Sequence, residues 1–359
     1  MKAAVLKSFG SPLVIENVPE PVIGTGEVVV DVVSTRVLSY TNEVLSGERK
    51  YLLDLPVIPG AGCVGRVRTI GPDATKLAVG DWVICDPTVR SRDDAIAPDI
   101  TLQGASARGE GGMRLQKYFR DGSFAEQMRV PTENVKRLGH INAAEATQWC
   151  ALGNMLVPYG GFLAANLRPG ETVLVSGATG NFGSAAVTVA LAMGAACVVA
   201  PGRNESVLAE LVRRFGDRVR PVKLSDNEAD DRERMERAAP GPIDCVFDIM
   251  PPSVSTTVVR AAIMTVRPYG RVVLMGGVNM LGGPGLELPY NWIMRECITI
   301  HGVWMYPPDA AVRLIALVRA GLLRLDHYET TAFDLDHAND AVAYAAAKSG
   351  PFNMTVIRP

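Results

Sequence analysis

The segment VSGATGNFGS, residues 175–184, follows the apolar run Val173-Leu174-Val175 and leads into VTVALAMGAA, whose apolar residues recur at helical spacing. Glycine loses more backbone freedom on folding than any other residue. Gly177, Gly180 and Gly183 in one strand-to-helix turn therefore call for something that only a missing Cβ allows. A tight structural junction is one such reason, and a ligand lying against bare main chain is another. In a strand–turn–helix setting the spacing reads as a dinucleotide fingerprint. Gly177 and Gly180 permit the turn and the close approach, and Gly183 lets the helix pack on the strand. Free N–H groups at the positive end of the helix then face a pyrophosphate. The expected cofactor-binding turn is Gly177, Ala178, Thr179, Gly180, Asn181, Phe182 and Gly183.

The pattern continues downstream. ACVVA reads as a short buried strand, SVLAELVRRFG as a helix, DCVFDIM as a strand, TTVVRAAIMTV as a helix and GRVVLMGG as another strand. Strands alternating with helices predict βαβ units and a doubly wound parallel sheet. The polar stretch 225–240 reads as a solvated helix face. Before about residue 140 the texture differs. KAAVL, LVIENV, EVVVDVVST, GCVGRVRTI and DWVICD are short β-rich runs punctuated by Pro and Gly, as in a barrel or sandwich. At 359 residues the chain exceeds what one core usually serves, so two domains of an α/β protein are expected.

The strand Ala196–Ala200 bears on which dinucleotide is bound. An acid at its end bonds a ribose 2′-OH, whereas an arginine suits a 2′-phosphate. The sequence runs Pro201-Gly202-Arg203-Asn204, with no acid before Glu205. Gly202, Arg203 and Asn204 therefore favour NADPH over NADH, the alternative being that Arg203 is a solvated surface residue.

Other classes are disfavoured by composition. A formal net charge of −2 and no dense basic run offer nothing to collect phosphate backbones, so no nucleic acid partner is expected. The six cysteines are scattered without a C-x-x-C pair, as reduced core thiols are. Lys7, Gly10 and Pro12 break any signal-peptide core, and the longest apolar stretch, near 185–200, is interrupted by Gly194 and too short for a membrane span. A cytoplasmic protein with no membrane partner is expected.

The order VLVSGATGNFGSAAVTVALAMGA, IDCVFDIM, RPYGRVVLMGG and ITIHG, preceded by PVIPGAGCVGRV, KLAVGDWVICDP and GSFAEQMRVP, resembles the medium-chain dehydrogenase/reductase superfamily over nearly the whole chain. The resemblance implies a GroES-like β-rich catalytic domain at 1–148, completed by 308–359, and a Rossmann NADP(H)-binding domain at 149–307. It also implies a homodimer through the Rossmann sheet edge at ITIHG, flanked by Trp292, Trp304 and Tyr306. Val157 takes the place of the family's nicotinamide-side threonine. Gly276, Gly277 and Val278 resemble the strand end that touches the carboxamide, and Asn353 falls near a cofactor-contacting Lys or Arg.

Zinc-dependent relatives carry three ligands whose counterparts here are Leu38, the stretch Gly60-Ala61-Gly62, and Gly153, with Cys150 one helical turn away. None of the three offers a thiolate, imidazole or carboxylate, so no zinc is expected. The structural zinc lobe of those relatives corresponds to 86–122, a long charged segment without Cys or His that reads as either a functional loop or a solvated insertion. The glycine turn resembles the quinone-reductase branch, yet that branch's early-loop Asn and Tyr are here Leu38 and Glu43.

Hydride arriving at a carbonyl or conjugated alkene leaves negative charge on oxygen, and without a metal hydrogen-bond donors must hold it. The candidate catalytic hydroxyls are Ser39, Tyr40 and Thr41. Tyr40 leads because a phenol both donates a hydrogen bond and supplies a proton, the alternative being an aromatic that only packs. Conjugation spreads the charge, which favours a zinc-independent, NADPH-dependent reductase of activated double bonds or quinones. A zinc-free alcohol dehydrogenase or carbonyl reductase is one alternative, and an NADPH-binding protein with little turnover is another.

Overall fold

The structure is a computed structural model that describes residues 1–348 and 350–359. The chain forms two compact units, one of Met1–Gly153, Leu325–Ser349 and Asn353–Pro359, the other of Asn154–Arg324 and Gly350–Phe352.

In the first unit β1 (Lys2–Val5) and β2 (Val14–Asn17) form an antiparallel pair, and β3 (Glu27–Val37) is the long central strand. A short helix α1 (Thr41–Leu45) precedes β4 (Cys63–Ile70) and β5 (Trp82–Cys85). There follow β6 (Thr88–Arg90), β7 (Ile100–Leu102), β8 (Ser106–Ala107) and α2 (Gly109–Gln116). Next come β9 (Gln127–Pro131), β10 (Val135–Arg137) and α3 (Ala143–Trp149). Val28, Val30 and Val32 alternate along β3 into a core shared with Val67, Val83, Met128 and Val130. The period of two in EVVVDVV is what sends them to one face. Each such valine stabilises the unit by about 1.5–3 kcal/mol relative to leaving it exposed.

The charged stretch 86–122 is not a loop. β6, β7 and β8 form a three-stranded antiparallel sheet, and α2 packs on it. Gln116 accepts from the Asp54 N–H at 2.7 Å, and Gln103 donates to the carbonyls of Asp121 and Arg129. Gly104 and Gly122 meet so closely that a Cβ on either would strike the other's backbone or the Gly60 carbonyl. Side-chain amides and bare glycines thus hold the lobe together.

The second unit opens along α4 (Leu152–Ala164), followed by β11 (Thr172–Ser176), α5 (Asn181–Ala192), β12 (Cys197–Gly202) and α6 (Glu205–Phe215). It continues through β13 (Val219–Lys223), α7 (Glu228–Ala238), β14 (Ile243–Asp248) and α8 (Thr256–Ile263). β15 (Val266–Leu274), α9 (Tyr290–Arg295), β16 (Thr299–Gly302) and α10 (Ala310–Arg319) complete it. All six strands are parallel, in the order β13-β12-β11-β14-β15-β16. Central strands covered on both faces read as continuous apolar runs, and Val173, Leu174 and Val175 are fully buried. The buried face of α10, Ala310, Ala311, Leu314 and Ile315, belongs to this unit. Residues 308–324, grouped with the first domain on the resemblance, thus pack with the second.

The chain then returns to the first unit as β17 (Glu329–Asp334), α11 (Ala338–Lys348) and β18 (Asn353–Arg358). β18 pairs parallel with β17 and antiparallel with Thr35, Arg36 and Val37 of β3, extending the sheet to the order β10-β5-β4-β3-β18-β17. No helix among the described residues is long and apolar enough to cross a membrane.

Candidate functional site

The second unit gathers its candidates at the carboxyl ends of its parallel strands. Gly177 follows β11 with φ +94°, a conformation glycine adopts without penalty. Its carbonyl accepts from the Gly180 N–H at 2.9 Å, closing the turn, and a Cβ at Gly183 would overlap that same oxygen. Strand and helix therefore meet backbone to backbone. Gly180 is the N-cap of α5 and makes no side-chain cap, so the first turn of the helix, Asn181 and Phe182 included, offers main-chain N–H groups to an anion. Ala178 is buried and Thr179 half-buried, with its methyl so near Gly202 that a Cβ there would collide.

Arg203 leaves the end of β12 into solvent and forms a 2.8 Å ion pair with Asp226. Lys223, opposite Gly202 in the ladder, donates to the Arg203 carbonyl at 2.5 Å and pairs with Glu205 at 3.2 Å. Two cations thus flank this strand end. Asn204 serves the fold, for its Oδ1 accepts from the N–H groups of Ser206 and Val207 and caps α6. Gly276 and Gly277 follow β15, and a Cβ at Gly276 would strike Asp248. Val278 packs half-buried against the sheet core. Val157 lies half-buried on α4, one residue before Pro158.

Lys223, Asp226 and Asp248 are absent from the residues expected on sequence grounds. Asp248 ends β14, 3% exposed, and accepts from Ser176 Oγ at 2.8 Å across the β11–β14 pair. Burial pushes its carboxyl up to about 6, against the hydrogen bonds from Ser176 and the Met250 N–H. An acid closing the apolar run CVF was the available signal.

In the first unit the candidate hydroxyls cluster at the start of α1. Thr41 is buried and its N–H bonds the Leu38 carbonyl at 3.0 Å, while Ser39 and Tyr40 are half-buried. The Tyr40 ring packs on the core formed by β1, α1 and α11, and the Arg49 guanidinium stands 4.0 Å from its centroid. Burial, aided by Tyr51, pushes the phenol up to about 12, so it stays protonated at neutral pH. Asn353 opens β18 in this unit, exposed and 3.4 Å from the Lys348 carbonyl.

Arg36 was not singled out from the sequence, yet it is 9% exposed on β3. Its guanidinium lies against Gly153, where a Cβ would stand 2.6 Å from Cζ. Cys150 donates to the Ser34 carbonyl at 3.3 Å, and burial pushes its thiol up to about 12. Ser34 Oγ is buried without a hydrogen-bond partner.

Residues 24–140 match the alcohol dehydrogenase GroES-like domain and residues 182–320 the zinc-binding dehydrogenase domain. The chain belongs to the medium-chain dehydrogenase/reductase superfamily. An alcohol dehydrogenase of Rhizobium meliloti is 34% identical over 54% of this chain and 55% of its own length. The acryloyl-coenzyme A reductase of Metallosphaera sedula is 29% identical over 84% of both chains. The alcohol dehydrogenase of Aeropyrum pernix has the same fold, with TM-score 0.79, 23% identity and full coverage of both chains. Membership makes the chain an NAD(P)H-dependent oxidoreductase of the medium-chain type.

The described residues do not fit a catalytic zinc at the family position. Leu38, Ala61 and Gly153 carry no donor atom in their side chains, and no group of three or more His, Cys, Asp or Glu among the described residues is placed to hold a metal ion.

Proposed function

We propose that this superfamily member is a zinc-independent, NADPH-dependent reductase of activated double bonds or quinones. The observation that carries the reading is the donor-free set Leu38, Ala61 and Gly153 at the family's ligand positions. Without metal charge, substrates that delocalise developing negative charge are the ones whose barrier falls enough. Tyr40, held protonated, is the hydrogen-bond donor and proton source, with Ser39 and Thr41 beside it. The Metallosphaera relative, named for reducing a conjugated thioester, supports the same substrate class.

The glycine turn holds the cofactor, with its adenosine end at Gly202. Arg203 leaves Asp226 for the 2′-phosphate, and Lys223 adds a second positive charge there. The Arg203–Asp226 pair also favours a second reading, in which Asp226 accepts from a ribose hydroxyl and NADH serves equally. Turnover of 2-cyclohexenone, 1,4-benzoquinone and cyclohexanone with each cofactor decides among these readings. Enone or quinone reduction with NADPH preferred is expected, and Arg203→Ala lowers that preference about tenfold or more, the worth of one charge-assisted contact. Turnover of the plain ketone alone makes the protein a carbonyl reductase, and tight NADPH binding without turnover makes it a nucleotide-binding protein. An unchanged cofactor ratio in Arg203→Ala removes the phosphate assignment.

A further inference from the structure

Each of the two cations at the end of β12 is held by a carboxylate of the same unit, Lys223 by Glu205 at 3.2 Å and Arg203 by Asp226. The second pair is the more deliberately built. Arg203 turns its Nε and Nη2 edge to a single oxygen, Asp226 Oδ1, at 2.9 and 2.8 Å. With such an edge a guanidinium grips either a carboxylate or a phosphate. One edge cannot hold both anions at once.

The turn that carries Asp226 is pinned on both sides. Ser225 donates through its N–H and its hydroxyl to Asp231 Oδ1, at 2.6 and 2.8 Å, and Asp231 is 1% exposed. Asn227 Oδ1 accepts from the N–H groups of Ala229 and Asp230, both at 3.1 Å, and so caps α7. Between these anchors Asp226 has φ +65°, a left-handed conformation that Asp and Asn enter more readily than other residues with a side chain. Backbone kept in a sparsely populated region by its neighbours is a sign of a side chain placed for use. The two strand ends are tied as well, because the Leu224 N–H bonds the Gly202 carbonyl at 3.1 Å. An exposed ion pair usually gains little, since two long side chains must give up their freedom to form it. Here the acid is short and its backbone is already fixed.

We propose that Asp226 is a specificity-determining residue, an internal stand-in for the 2′-phosphate that sets how strongly NADPH is preferred over NADH. The inference rests on the assignment of Arg203 to that phosphate. A nucleotide that carries the phosphate must displace the carboxylate from the Nε–Nη2 edge and then bear its repulsion from the neighbouring turn. A nucleotide with a 2′-hydroxyl displaces nothing. Asp226 therefore weakens binding of the phosphorylated cofactor alone, and the preference measured in solution is only the surplus of phosphate over carboxylate at one guanidinium.

The test is calorimetric titration of the full chain with adenosine 2′,5′-bisphosphate and adenosine 5′-monophosphate, which differ only in the 2′-phosphate and need no turnover. The variants are Asp226→Asn and Asp226→Gly, both compatible with the left-handed turn, Arg203→Ala, and the double variant Arg203→Ala with Asp226→Asn. Removing the carboxylate is expected to tighten the bisphosphate about three- to fivefold, the upper worth of an exposed pair, and to move the monophosphate by less than about twofold. In the Arg203→Ala background the same substitution is expected to bring no such gain. If Arg203→Ala lowers the bisphosphate-to-monophosphate ratio while both Asp226 variants leave it at the wild-type value, the inference is overturned and the phosphate assignment stands. A ratio unmoved by Arg203→Ala overturns both. Weaker monophosphate binding in Asp226→Asn and Asp226→Gly makes Asp226 an acceptor for the ribose hydroxyl instead, and also overturns the inference.

Discussion

Asp248 ties the glycine turn's strand to the next one, since its carboxylate takes the Ser176 hydroxyl while the following backbone bonds the end of β15. Its folded pKa near 6 exceeds the ordinary 3.8 because burial penalises the charge. At low pH both folded and unfolded states carry the proton. As pH rises through the ordinary range the unfolded state ionises first, so the fold loses stability until pH passes about 6, by about 3 kcal/mol in all. Asp248→Asn removes that loss. Thermal melts are expected to show the variant gaining on wild type between pH 4 and 6.5 and a constant difference above; parallel curves throughout would contradict the assignment. Residues of this kind are hard to read from sequence. Gly177 and Gly183 announce themselves because glycine is costly there, whereas Arg36 and Asp248 are charges that only packing shows to be buried, at 9% and 3% exposed.

At the scale of elements, the parallel strands were legible because burial on both faces makes them apolar runs such as VLV and CVFD. β13, VRPVK, was missed: a sheet-edge strand with Val219 and Val222 inward and polar neighbours outward carries little signal. The lobe at 86–122 was missed for another reason. Its order comes from Gln103, Gln116 and close glycine backbones rather than from an apolar pattern. Asn204, expected at the cofactor, also carries a structural role that its place in the sequence did not announce, because its side chain caps α6. Asn204→Ala is expected to lower stability by about 1 kcal/mol, the typical worth of an N-cap, with NADPH affinity unchanged. Calorimetric titration and chemical denaturation measure the two separately, and weakened NADPH binding at unaltered stability would restore the cofactor role.

For the whole molecule, the fold class followed from alternation and glycine spacing, while the substrate did not, because no pattern in the sequence specifies the surroundings that packing gives Tyr40. Quaternary structure belongs to this scale. β16 is an edge strand with one neighbour, and around it Tyr290, Met294 and Trp304 are exposed, the first by 81%. Unpaired strand edges beside exposed aromatics invite a second copy. We expect a homodimer through this edge, with Trp304→Arg raising the dissociation constant about tenfold or more; sedimentation showing a monomer for the wild type at micromolar concentration would remove it.

Because β18 completes the sheet on β3, the first unit to emerge from the ribosome is the last that can finish folding. Thr35, Arg36 and Val37 wait with an open ladder while the inserted unit is synthesised and settles. Translation that stalls before residue 353 therefore leaves a nascent protein able to form its parallel-sheet unit, with the sheet of the first unit still unsealed.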